Sequence, residues 1–89
     1  MSKLPEIQSE YIEPYLAQYF GYLIESIAMG FKTPQEAKNE LKGVENFVSQ
    51  FCGIHARYAT MNEYHRINEM PDAELLDLCK RIFASSTNN

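Results

Sequence analysis

Little in this chain announces a chemistry by itself. Tryptophan is absent, and two cysteines, Cys52 and Cys79, are too few for a disulfide scaffold. Their number points instead to free thiols in a reducing cytoplasm. Long apolar runs are missing too, since nothing approaches the ~18 residues of a membrane-spanning helix. Met1-Ser2-Lys3-Leu4-Pro5-Glu6 lacks the apolar segment of a secretory signal, so a leaderless chain is expected. Basic residues are few. Eight Lys and Arg against 12 Asp and Glu give a net charge of −4, with no basic run to grip a polyanion. Sequence-independent nucleic-acid binding is thereby disfavoured. A glycine-rich elbow, a phosphate loop and a paired-carboxylate motif are also missing, which points away from an enzyme.

What the chain does have is apolar and aromatic. Hydrophobic residues make up 45%, with six Tyr and five Phe. Its 89 residues fit one domain, 1–89, that buries roughly 60–65% of the unfolded surface. The sharpest local signal is Thr33-Pro34-Gln35-Glu36. Thr33 can accept from a first-turn amide, Pro34 loses nothing at the first helical position, and Glu36 can reach back to the cap. Behind it Ala37, Leu41, Val44, Val48, Phe51, His55 and Tyr58 recur at steps of four and three. That period keeps them on one side of a helix. Because the phase runs through Gly53 unchanged, a continuous central helix over 34–66 is expected in preference to a kink or break there.

The remaining elements follow from punctuation and period. Residues 1–12 read as an extended lead-in, tethered by Ile7, Tyr11 and Ile12. A first helix is expected over 14–29, with Pro14 in its first turn and Gly30 in the left-handed position after its end. Leu16, Phe20, Leu23 and Ile27 form its main stripe. The short turn Gly30-Phe31-Lys32 makes the next helix antiparallel and tucks Phe31 into the closed end. Pro71 signals a further start, and 72–84 reads as a third helix with Asp72 and Glu74 first and Lys80 and Arg81 last. Residues 85–89 are a tail expected to fray. The expected architecture is all-α: an antiparallel helical hairpin with a long central helix and a packed third helix, in an oligomer.

Three groups of residues are candidates for function. Tyr11, Tyr15, Tyr19 and Tyr22, with Met29, give the first helix a second apolar face, and Phe47, Ile54 and Met61 recur every seven residues on the central one. So much aromatic surface exceeds what one small core can hold, and rigid aromatic side chains are favoured at interfaces. A second cluster, His55, Arg57, Tyr58, Tyr64, His65 and Arg66, has the guanidinium forks and hydroxyls that recognise phosphate or carboxylate. Solvated ends of a helix account for the same residues, because Glu63 and Glu69 offset the two arginines. Third, Cys52 and His55 are one helical turn apart. They suggest a metal pair that Cys79 or His65 would have to complete, or a Cys–His–Glu arrangement with Glu45. One pair is short of the four ligands a structural zinc needs, so neither metal nor cofactor is expected, and both cysteines read as small core residues.

The reading that follows is a non-enzymatic protein–protein interaction module, homo-oligomeric, cytoplasmic, with itself and another protein as partners and no membrane. It would act by occupying a partner's surface, as an accessory protein or an inhibitor. In size and composition the chain resembles the small proteins of bacteriophages and mobile elements, some of which inhibit host machinery. The alternative is an oligomer that binds a small ligand or nucleotide through the Arg/Tyr/His cluster at a subunit boundary.

Overall fold

Thr33 starts its helix as the sequence predicts. Its Oγ1 accepts from the Glu36 amide at 3.1 Å, Glu36 Oε1 accepts from the Thr33 amide at 3.0 Å, and Pro34 occupies the first turn. The Thr33 amide draws the Glu36 carboxyl below its ordinary pKa. In the computed structural model, which describes residues 5–87, that helix is the second of four. They are α1 (Ser9–Ala28), α2 (Pro34–Phe51), α3 (Ile54–Glu69) and α4 (Asp72–Thr87). Where α1 ends, Gly30 takes φ of 81° and the Phe31 and Gly30 amides donate to the carbonyls of Ser26 and Ile27. This is the glycine stop expected there.

The central helix is not continuous. It breaks at Cys52 and Gly53, so the third helix expected from the sequence is α4, and the described residues form four helices. The cause lies at the other end of the chain. The Ile7 amide donates to the Phe51 carbonyl at 2.7 Å, and the Gly53 amide donates to the Ile7 carbonyl at 2.8 Å. Ser9 Oγ accepts from the Ala56 amide at 3.0 Å, capping α3 from 47 residues away. Backbone groups that a break would leave orphaned are therefore partnered by the lead-in. Gly53 has an ordinary extended backbone and is needed for closeness: a Cβ there would meet Ser9 Oγ at 2.8 Å.

The break also shifts the phase of the core by one residue. Ala37, Leu41 and Val48 are buried on α2, yet His55 and Tyr58 are exposed, and α3 turns Ala56 and Thr60 inward instead. Two linked clusters form the core. Leu23, Ile27, Ala37, Leu41, Leu75 and Cys79 fill one end, and Leu16, Val48, Cys52 and Ala56 the other. Lys38 is 8% exposed although its side chain is charged. Its Nζ donates to the Met70 carbonyl at 2.6 Å and to Asp72 Oδ1 at 2.8 Å, closing the end of α3 onto the start of α4.

Other boundaries move as well. α1 begins at Ser9, not at Pro14, which sits inside it and leaves Glu10 without the amide that would complete that turn. Phe31 is 73% exposed and does not fill the hairpin end. α4 continues to Thr87, so 85–87 are helical and the rest of the expected tail lies outside the described residues. The molecule measures 49 × 28 × 19 Å, and its thinnest dimension is about two helix diameters of ~10 Å. α1 packs most closely on α4 and α2 on α3, and α3 and α4 touch least. Among the described residues no helix is long and apolar enough to cross a membrane.

Candidate functional site

Two contacts fix how α1 and α2 sit side by side. At one end Ile7 pairs with Phe51, and further along Tyr19 Oη donates to Glu40 Oε2 at 2.8 Å. Leu16 and Val48 share a core cluster between them. α1 and α2 therefore run antiparallel. Phe47, seven residues after Glu40, falls on the side of α2 that borders α1. Phe51 follows one turn later, and the two rings pack at 5.3 Å.

On α1 the tyrosines divide. Tyr19 is half-buried and serves the fold, because its hydroxyl bridges to α2. Burial first, and then the Glu40 carboxylate, push its pKa well above the ordinary phenol value. Lys32 pairs with the same carboxylate, lowering the pKa of Glu40 and raising its own, and it lies 5.0 Å over the Tyr22 ring. The other three tyrosines are open: Tyr11 is 66% exposed, Tyr15 68% and Tyr22 51%. Met29 continues their stripe at the end of α1 and is exposed. With Phe47 and Phe51 they make an aromatic face along the α1–α2 seam.

The rest of the expected interface set lies elsewhere. Ile54 and Met61 line a cleft of about 220 Å³ between α2 and α3, together with Glu45, Ser49, Arg57 and Tyr58. The break at Gly53 is what separates them from Phe47, since it ends the seven-residue register. Sequence periodicity offers no sign of Phe51 as a surface residue, because its stripe is the core stripe until that break. Glu40 and Lys32 were likewise not legible as a clasp on the tyrosines.

The Arg/Tyr/His cluster is divided too. Arg57 and Tyr58 face the α2–α3 cleft, where the Arg57 Nε is buried without a hydrogen-bond partner. Arg66 is nine residues on, about 13 Å along the axis and on the opposite side of α3. There it pairs with Glu63 at 2.6 Å and borders a separate apolar cavity of about 70 Å³ between α1, α3 and α4. Tyr64 packs against the core, its ring 5.5 Å from that of His65. His55 and His65 are exposed on different turns.

The cysteines are buried apart and free. Cys52 ends α2 inside the core, and His55 is exposed on the next helix, so the two do not face a shared site. Burial raises both thiol pKa values, which keeps them protonated and poorly nucleophilic. Among the described residues no three His, Cys, Asp or Glu side chains gather as metal ligands. No family model, no curated protein and no solved structure matches the chain.

Proposed function

We propose that this chain is a non-enzymatic protein–protein interaction module that works through the aromatic face of α1 and α2. The observation carrying the reading is the exposure of Tyr11, Tyr15 and Tyr22 beside the Phe47–Phe51 pair. Leaving five aromatic side chains in water on one face is unfavourable unless something covers them. Tyr and Phe suit that role because they bury large rigid areas at low entropy cost. A module that binds in this way occupies its partner's surface, which is how a small accessory protein or inhibitor acts. Buried free thiols suit a reducing compartment, and we place it in the cytoplasm.

Affinity capture from a cell lysate with the tagged full chain tests this reading. Proteins held in stoichiometric amounts, further copies of the chain included, are expected to be lost with Tyr15→Ala/Tyr22→Ala and retained with Arg57→Ala. An unchanged set on the tyrosine variant would contradict it. A second reading rests on the unpartnered Arg57 Nε, which with Tyr58 offers a carboxylate or phosphate group donors at the α2–α3 cleft. Glu45 in the same cleft opposes an anion. Under that reading Arg57→Ala abolishes binding of nucleotide phosphates measured by calorimetry, and the tyrosine variant leaves it intact.

A further inference from the structure

We infer that the occupant of the aromatic face is a second copy of this chain, held across a two-fold axis that passes near the middle of α1. The inference rests on the interaction-module reading and names its partner. Three observations converge on a self-interface.

The first is area. Taking ~200 Å² for each aromatic side chain, Tyr11, Tyr15, Tyr22, Phe47 and Phe51 together expose roughly 550 Å². Two such faces bury roughly 1,100 Å² from these rings alone, which clears the ~1,000 Å² that separates specific interfaces from incidental contacts. Gln18 and Met29, exposed on the same stripe, add to it. The face is thus large enough for a dimer of this protein without help from elsewhere.

The second is charge. Between Tyr11 and Tyr22 the exposed stripe carries Tyr15 and Gln18, and the exposed border of Phe47 on α2 is Gly43, Asn46 and Gln50, none of them ionised. The charged pair nearest to them, Lys32 and Glu40, is already neutralised within the chain. Glu25, exposed seven residues after Gln18, is the carboxylate on this stripe, and antiparallel pairing about the middle of the stripe sets the two Glu25 side chains about 15 Å apart along the axis instead of opposite each other. A chain of net charge −4 can therefore meet itself here without like charges in contact.

The third is self-complementarity. Tyr15, Tyr22 and Met29 stand seven residues apart, with Tyr11, Gln18 and Glu25 in the alternate positions, so the stripe is a short helix-pairing seam. Antiparallel pairing about its midpoint lays the Tyr11 end of one copy on the Met29 end of the other, and sets Tyr15 opposite Glu25 and Gln18 opposite Tyr22. Phenol and amide groups both donate and accept hydrogen bonds, so each of these pairs can be satisfied across the axis. In this arrangement Gln18 lies close to the axis and faces the other copy's seam.

The test is molar mass by light scattering on the full chain over a hundredfold range of concentration. The expected mass rises from 10.3 kDa toward twice that value. Tyr15→Ala/Tyr22→Ala is expected to stay at 10.3 kDa throughout, with an unchanged helical circular-dichroism spectrum because both side chains are more than half exposed. Gln18→Glu leaves every ring in place and is expected to weaken association at least tenfold by bringing like charges to the axis. Tyr58→Ala, on a residue outside the face, is expected to leave the mass curve unchanged. A wild-type monomer at every concentration would overturn the inference, as would a dimer indifferent to both the tyrosine and the Gln18 changes. If the chain is monomeric but lysate capture still depends on Tyr15 and Tyr22, the interaction-module reading stands with a different partner. If both measurements are negative, that reading falls too.

Discussion

Gly53→Ala is expected to destabilise the fold by about 2 kcal/mol, whereas Gly43→Ala is expected to stabilise it by up to about 1 kcal/mol. Gly43 lies inside α2, and Gly53 lies at the α2–α3 break. A Cβ at Gly43 meets nothing within 4 Å, so alanine there simply improves the helix. A Cβ at Gly53 meets Ser9 Oγ at 2.8 Å and the Ser9 backbone nitrogen at 3.3 Å. The hydroxyl can rotate away only by giving up the Ala56 amide it caps, and the backbone nitrogen cannot rotate away at all. Alanine also favours running α2 straight into α3, against the fold. Urea denaturation followed by circular dichroism measures both variants. Equal effects at the two positions would show that the lead-in does not hold the break.

Leu41→Ala is expected to have the larger effect, about 3–4 kcal/mol. Leu41 is 0% exposed and shares a cluster with Leu23, Ile27, Leu75 and Cys79, so α1, α2 and α4 meet on it. Truncation removes the transfer free energy of the lost atoms and leaves a void that three helices cannot all close. A domain of this size has a total stability of about 5–15 kcal/mol, so the variant retains only a fraction of it. In a thermal melt the midpoint is expected to fall by about 15–20 °C. Leu41→Met, which keeps the volume, is expected to cost less than about 1.5 kcal/mol. A Leu41→Ala melt within a few degrees of wild type would mean that this cluster is not the core.

How far the fold can be read from the sequence depends on how local its causes are. Thr33, Pro34 and Glu36 act within one turn, and the capping box forms as written. Gly30 ends α1 by its own backbone freedom, which is equally local. The stripe Ala37–Leu41–Val48 is a property of α2 alone and is buried as expected. By contrast, the break at Gly53 is made by Ile7 and Ser9, more than 40 residues away, while the local period argues for continuity. Lys38 reads as solvated until the Met70 carbonyl and Asp72 are brought to it. Pro14 marks a helix start in most chains. Here the anchored Ser9 lets the helix begin earlier and accept one missing hydrogen bond.

The candidate site divides in the same way. Tyr11, Tyr15 and Tyr22 could be placed on one face from spacing alone, and their surplus over the core's capacity pointed outward. Phe51 could not, because its register is that of the core until the helix ends one residue later. Ile54, Met61 and Arg57 follow Gly53, so their positions depended on a turn that only long-range contacts determine.

The central claim is that the α1–α2 aromatic face is the contact surface between two copies of this chain, and tyrosine footprinting tests it most directly. Hydroxyl-radical oxidation of the full chain at two concentrations a hundredfold apart reads each tyrosine separately. Tyr58 serves as an internal reference, being 57% exposed and outside the face. The account predicts that Tyr11, Tyr15 and Tyr22 become protected at the higher concentration while Tyr58 reacts equally at both. Equal oxidation of all four at both concentrations would contradict it.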